Sequence, residues 1–176
     1  MPVTIGALRE SAPHETRVSL VPEVADKFAQ AGARVLMERG AGVRANFPDA
    51  LYKNVEWVDS PDAILTAADV VLTVQPLSVQ EIGKLKPGAV VIGFMQPHAR
   101  PEEVKALRDR NITSFAMELV PRISRAQSMD ALSSQAAIAG YKAVLIAASH
   151  LQKFLPMLTT AAGTIRPAQV LVIGAG

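Results

Sequence analysis

The chain has 176 residues, of which 49% are hydrophobic and 19% are charged, a balance that suits a globular protein with one domain and the start of a second. Its 18 Lys and Arg residues are scattered among 16 Asp and Glu residues, and a net charge of only +2 argues against a nucleic-acid partner. Because the sequence has no cysteine and its three histidines lack metal-ligand spacing, it predicts neither disulfide bonds nor a metal site.

Short runs rich in β-branched residues alternate with helical patterns along the chain. This alternation is typical of a parallel sheet covered by helices, so the predicted fold class is α/β, with a Rossmann-like or flavodoxin-like sheet domain. The segment near residues 55–58 is a further candidate strand. The six main predicted strands are residues 3–8, 34–38, 70–74, 89–94, 112–117 and 170–173.

The helices between these strands are predicted from the residues at their two ends. Pro22 opens a helix that carries Val24, Phe28 and Ala31 on one apolar face and closes at Gly32. Further helix starts are predicted at Ser60 with Pro61, at Ser78 with Glu81 as a capping box, and at Pro101.

A polar stretch at residues 121–130 precedes a long run of small and apolar residues at 131–151, which predicts one long helix joining two domains. The most apolar part of this run, Ala136 to Leu151, is interrupted by Lys142 and His150, and we expect it to be too short to span a bilayer. The predicted division is an N-terminal α/β domain at 1–129, an interdomain helix region at 130–163, and a second domain at 164–176. Small residues share one helix face and would let another backbone approach closely: Ala136, Ala139, Gly140, Ala143 and Ala147.

Residues 170–176 have the pattern of a buried strand that runs into the first two glycines of a dinucleotide-binding loop, Gly174 and Gly176. The complete fingerprint also has a third glycine, a helix that receives the pyrophosphate, and an acidic residue about 20 positions further on for the ribose. None of these lies within residues 1–176, so we expect a truncated Rossmann unit that by itself binds NADH weakly and is nearly inactive. The residue that distinguishes NAD from NADP would also follow Gly176.

The stretch at residues 122–144 carries a specific resemblance. The sequence RISRAQSMDALSSQ at 122–135, followed by AGYKAV at 139–144, closely resembles the NAD(H)-binding domain in the alpha subunit of the proton-translocating nicotinamide nucleotide transhydrogenases. The dipeptide Arg9-Glu10, residues 15–22 and the Gly40-Ala41-Gly42 sequence support the match, and that pattern is shared with the related alanine dehydrogenases. The resemblance extends over essentially the whole chain.

The resemblance implies an oxidoreductase and translocase that transfers hydride between NADH and NADP⁺ and couples the transfer to proton movement across a membrane. It implies that NAD binds to this chain, whereas NADP binds to a partner domain outside it. It also implies a homodimer that docks on an NADP(H)-binding subunit and a membrane domain. The chain would then be a cytoplasmic domain of a complex associated with the inner membrane.

By the same resemblance, Arg122, Gln127, Asp130 and Ser133 form the site at the nicotinamide ring. Hydride passage between two nicotinamide rings moves no proton at a substrate atom, so the protein needs to supply only positioning and electrostatics. Asp130 and Ser133 are expected three apart on the first helical turn, facing one side. The other expected NAD contacts are Ile123, Ser124 and Arg125, with Gly174 and Gly176 at the pyrophosphate.

A purely structural interpretation of this site also stands: Asp130 caps the long helix, Ser133 bonds to the backbone, and the arginines are solvated.

An alanine dehydrogenase is the alternative function. In that family an Arg, a Lys and a His hold and activate the keto acid, because reductive amination requires proton transfer. Here Arg17 occupies the arginine position, but Gln75 and Gln96 fall where the lysine and the histidine are expected. We interpret His98 as a loop residue, and Arg17 could equally be a structural ion-pair partner.

A third hypothesis is a non-catalytic dimerisation or docking domain.

Overall fold

The computed structural model of the protein describes residues 2–174, which form two compact units. The first unit ends at Asp130 and the second begins at Ala131. Within the described residues, strands and α-helices of the first unit follow one another in this order: β1 (Thr4–Ala7), α1 (Pro22–Gln30), β2 (Arg34–Glu38), β3 (Glu56–Val58), α2 (Pro61–Ala67), β4 (Val70–Leu72), α3 (Val79–Lys84), β5 (Val90–Gly93), α4 (Pro101–Asp109) and β6 (Thr113–Ala116).

The six strands form one parallel sheet with the order β3-β2-β1-β4-β5-β6. This sheet confirms the predicted α/β fold class, and each strand predicted before residue 120 is present. The strand order reverses direction between β1 and β4, which makes the carboxyl ends of these two strands a topological switch point. Open parallel sheets commonly bind ligands at such a point.

Local signals start and end the helices as predicted. Ser78 and Glu81 form both halves of a capping box at the start of α3, so two N–H groups of the first turn are satisfied by side chains. At the end of α1, Gly32 takes a φ of 86°, which glycine adopts without steric cost. The backbone N–H of Ala33 then donates to the carbonyl of Phe28 at 3.0 Å and closes the helix.

Two apolar clusters lie on opposite faces of the sheet, because successive side chains of a strand point to opposite sides. Leu36 of β2 belongs to one cluster, and its neighbours Val35 and Met37 belong to the other. The first cluster also contains Ile64 of α2, and the second contains Ala25 of α1. Helices therefore cover both faces, as expected for a parallel sheet.

The second unit starts with the long helix α5 (Ala131–His150), which confirms the helix predicted at 131–151. Its small-residue face is exposed in the described structure. The whole helix α5, with 20 residues, is long and apolar enough to cross a membrane by length and composition alone, so the expectation made for residues 136–151 does not extend to the helix. This is weak support for a membrane span, because apolar helices packed inside soluble proteins share these properties.

A β-hairpin follows α5 and was not predicted from the sequence. It consists of β7 (Leu158–Thr160) and β8 (Gly163–Ile165), which pair antiparallel around a two-residue turn. The β-branched residues on both sides of that turn were an available signal. The domain boundary predicted at residue 164 falls inside this hairpin.

The strand predicted at residues 170–173 is not formed. A strand exists through hydrogen bonds to a neighbouring strand, and no described segment pairs with these residues. Their apolar side chains remain exposed, from 64% at Val170 to 90% at Ile173. A buried strand was therefore the wrong description of this segment as it stands in the structure.

Candidate functional site

One carboxylate joins the loops that follow β1 and β4 at the switch point. Glu10 accepts hydrogen bonds from the backbone N–H groups of Val74 at 2.5 Å and Gln75 at 3.1 Å. Burial raises the pKa of the Glu10 carboxyl, and the two N–H donors act in the opposite direction. A cleft of about 640 Å³ opens beside Glu10 and is bordered by residues that follow β1 and β2.

A second carboxylate, Glu15, binds the arginine that the alternative function would use for a keto acid. The Arg17 guanidinium donates to Glu15 from Nε at 2.8 Å and from Nη2 at 2.6 Å. The side-chain amide of Gln75 donates to the Oε2 atom of Glu15 at 2.6 Å. The hydrogen bonds from Arg17 are the main reason that the pKa of Glu15 falls to about 2. Arg17 is therefore in an ion pair with Glu15, which was the structural alternative for this residue.

At the positions where an alanine dehydrogenase is expected to have its lysine and its histidine, this chain has no acid or base. Gln75 is engaged with Glu15, and Gln96 is an exposed residue with a φ of 49° after the end of β5. His98 lies in the next turn and is exposed, as expected for a loop histidine. Two neutral amides cannot exchange the protons that reductive amination requires.

The Gly40-Ala41-Gly42 sequence has a structural role. Gly40 has a φ of 75°, and its N–H donates to the carboxylate of Asp49 at 3.0 Å. A Cβ atom on Gly42 would lie 2.4 Å from the carbonyl oxygen of Phe47 and 2.7 Å from the hydroxyl of Tyr52. Backbone conformation at the first glycine and close packing at the second therefore explain this motif.

Residues 121–130, the polar loop, contain the first part of the stretch that carries the resemblance. Its centre is a 3₁₀ helix, Ser124–Met129, in which Ala126 is the one buried residue. The side chains of Arg122, Ser124, Arg125 and Gln127 are exposed, and Ile123 is 53% exposed. The loop therefore presents guanidinium, hydroxyl and amide groups that can reach a ligand. The amide of Gln127 can both donate to and accept from a carboxamide, which fits the nicotinamide end of NADH.

Asp130 lies at the end of the 3₁₀ helix and immediately precedes α5, so it is not inside the first helical turn as expected. Ser133 is in the first turn of α5, and both residues take part in interactions. The first unit contains Asp130 and the second contains Ser133. Gly174 has a φ of 83°, which suits a glycine loop, whereas Gly176 lies outside the described residues.

Sequence reasoning missed Glu118, which stands directly before the polar loop in the 3₁₀ helix Met117–Leu119. Its carboxylate accepts the backbone N–H of Met95 at 2.9 Å and that of Gln96. A carboxylate just after a strand end was an available signal. Within residues 2–174, no group of three or more His, Asp or Glu side chains is arranged to hold a metal ion.

Two family models match the chain. The one described as "Alanine dehydrogenase/PNT, N-terminal domain" matches residues 6–139, and the one described as "Alanine dehydrogenase/PNT, C-terminal domain" matches residues 143–176. The first match ends, and the second begins, within α5.

The chain has different sequence identities to individual transhydrogenases and to an alanine dehydrogenase. An NAD(P) transhydrogenase alpha subunit of Rickettsia prowazekii is 44% identical over 178 residues, covering 98% of this chain and 46% of that protein. The crystal structure of a transhydrogenase from Sinorhizobium meliloti is 43% identical, with a TM-score of 0.87, and the match covers 94% of this chain and 50% of that one. An alanine dehydrogenase of Bacillus subtilis is 30% identical over 151 residues, covering 85% of this chain and 39% of that protein. The chain thus spans about half the length of these two transhydrogenase relatives.

Proposed function

Because the chain belongs to the alanine dehydrogenase/PNT family, we propose that it is the NAD(H)-binding part of a proton-translocating NAD(P) transhydrogenase. The whole enzyme would transfer hydride between NADH and NADP⁺ and couple that transfer to proton movement across a membrane. The higher identity to proteins named as transhydrogenase alpha subunits than to an alanine dehydrogenase supports this choice.

The proposal depends mainly on the three positions at which an alanine dehydrogenase would hold and activate its keto acid. Arg17 is bound to Glu15, and the remaining two positions are Gln75 and Gln96. A dehydrogenase acting on an amino acid needs a free carboxylate-binding cation and a proton donor. A hydride exchange between two nucleotides needs neither, which fits the arrangement in this chain.

In the proposed mechanism, NADH supplies the hydride and this chain holds its ring in position. The amide of Gln127 would bond to the carboxamide of the nicotinamide and fix the rotation of the ring. Arg122 would offer a second set of donors, and Asp130 with Ser133 would complete the polar contacts. Accurate placement of the reacting atoms is the main contribution that such residues can make to the rate.

The same proposal assigns the remaining parts of the assembly. Ile123, Ser124 and Arg125 would make secondary contacts, and Gly174 with Gly176 would approach the pyrophosphate. The α/β domain would comprise residues 1–129, and the connecting region residues 130–163. The NAD-binding domain would start with residues 164–176. The partners would be a second copy of the chain, an NADP(H)-binding subunit and a membrane domain. The chain would lie on the cytoplasmic side of the inner membrane.

The test uses the full-length protein with its NADP(H)-binding partner. Gln127→Ala should slow hydride transfer from NADH to NADP⁺ more than it weakens NADH binding, because the amide orients the ring and does not anchor the nucleotide. Stopped-flow absorbance gives the transfer rate, and calorimetry gives the affinity. Gln80→Ala, which removes an exposed amide from α3, is the matched control and should change neither quantity.

Three outcomes would each contradict a different part of the proposal: the role of Gln127, the reaction, or NADH binding. Transfer by Gln127→Ala at the wild-type rate would remove this residue from the mechanism. Consumption of ammonia and pyruvate with NADH by the wild-type protein would indicate an alanine dehydrogenase. If the full-length protein did not bind NADH, the hypothesis of a non-catalytic docking domain would be favoured.

A further inference from the structure

The side chain of Glu118 connects the segment before the polar loop to the end of β5. Glu118 follows β6, and its two carboxylate oxygens lie 2.9 and 3.2 Å from the backbone nitrogen of Met95. The same carboxylate also accepts the N–H of Gln96. Successive backbone N–H groups that converge on one anion form a concave binding site for it. Glu118 thus joins the carboxyl end of β5 to that of β6, just before the polar loop begins.

The backbone that donates hydrogen bonds to Glu118 has an unusual conformation. Gln96 has a φ of 49°, a left-handed conformation that costs energy for any residue with a Cβ atom. Met95 is 6% exposed, and a buried N–H that loses its hydrogen-bond acceptor costs free energy. Both features indicate that the contact with Glu118 determines the conformation of this junction.

Ala126 is a buried point within the polar loop, and Asp130 at the end of the loop also takes part in interactions. Among residues 121–129, Ala126 is the buried one, at 6% exposure, and the residues on both sides of it are exposed. The N–H of Ala126 donates to the carbonyl of Ile123 at 2.9 Å and closes the first turn of the 3₁₀ helix. Glu118 and Ala126 are therefore two points at which this segment is held.

We propose that Glu118 is a positioning residue that sets the place of the polar loop and, through it, of Arg122 and Gln127. This inference rests on the proposed function for its effect on hydride transfer. The carboxylate touches no nucleotide in this scheme. It holds the loop entrance while Ala126 holds the middle, and the exposed donors between and beyond them are thereby kept at a constant position.

The experiment uses Glu118→Ala and Glu118→Gln in the full-length protein. In Glu118→Ala, amide hydrogen exchange should become at least about tenfold faster at Met95 and Gln96, whose N–H groups lose their acceptor. It should also become faster at residues 120–129, because the entrance of the loop is no longer held in place. Glu118→Gln keeps one acceptor oxygen and should give an intermediate effect. The control is Glu102→Gln, which neutralises an exposed carboxylate in the first turn of α4 and should leave exchange unchanged.

Hydride transfer is the second readout. A displacement of the loop by about 1 Å should slow transfer by roughly ten- to hundredfold, with a smaller change in NADH affinity. If exchange in residues 120–129 is the same in wild type and Glu118→Ala, the positioning role is refuted. If exchange increases but transfer does not slow, Glu118 holds the loop without serving the reaction. If wild-type protein performs no transfer, the proposed function fails, and the exchange result still decides whether Glu118 holds the loop.

Discussion

Replacing Glu15 with Gln tests whether Arg17 is a structural ion-pair partner. Glu15 is 7% exposed and accepts hydrogen bonds from Arg17 and from the side chain of Gln75. Glu15→Gln keeps the shape of the side chain and one acceptor oxygen, but it leaves the guanidinium without an opposite charge. We therefore expect the free energy of unfolding to decrease at neutral pH.

The expected magnitude follows from the pKa of Glu15, which is 4.5 without the fold and about 2 within it. A tenfold change in an ionisation equilibrium corresponds to about 1.4 kcal/mol, which gives about 3 kcal/mol as an upper value. Because 38% of the Arg17 side chain is exposed, solvent screening reduces the effect, and we expect a loss of about 2 kcal/mol.

The sign of the pH dependence is fixed by the lowered pKa. Folding favours the ionised form of Glu15, so its contribution is complete above pH 4.5 and is lost as the pH falls towards 2. The difference in stability between wild type and Glu15→Gln should therefore be largest at pH 7 and roughly halved by pH 3. A difference that stayed constant over this range would show that the ionised carboxylate is not its source.

Urea unfolding followed by circular dichroism at pH 7, 4 and 3 measures these differences. The control is Glu23→Gln, because Glu23 pairs with Lys27 on the exposed surface of α1 and should give no measurable loss. Equal stability of Glu15→Gln and wild type at pH 7 would refute the ion pair. Arg17 would then be available to bind a carboxylate, and the alanine dehydrogenase alternative would regain support.

Two further substitutions test the packing and the helix caps. Gly93→Ala should lower the free energy of unfolding by about 1–3 kcal/mol, since the new Cβ would lie 2.4 Å from the carbonyl oxygen of Thr73; urea unfolding at wild-type stability would contradict this. Ser78→Ala should cost about 1 kcal/mol by removing the capping box of α3, and Ser78→Thr, measured in the same way, should recover most of the loss.

The parts of the fold that depend on neighbouring residues were predictable from the sequence. The capping box of Ser78 and Glu81, the end of α1 at Gly32 and the long helix from Ala131 each follow from residues within a few positions of one another. Alternation of strands and helices then predicts a parallel sheet, because a parallel connection requires a crossover. For the polar loop, the resemblance to a known family, and not a local pattern, assigned the side chains that would meet a ligand, and that assignment stays a prediction.

Other features depend on contacts between residues far apart in the chain, and only the tertiary structure decided them. Glu118 bonds to Met95 across 23 positions, and Glu10 bonds to Val74 across 64, so a local pattern can point to each carboxylate but cannot identify its partner. The role of Arg17 was left open by the sequence; the fold brings Gln75, 60 positions away, to the carboxylate that also accepts from Arg17. Residues 170–173 show the converse: their composition favours a strand, yet backbone hydrogen bonds must come from a neighbour, and no described segment provides them.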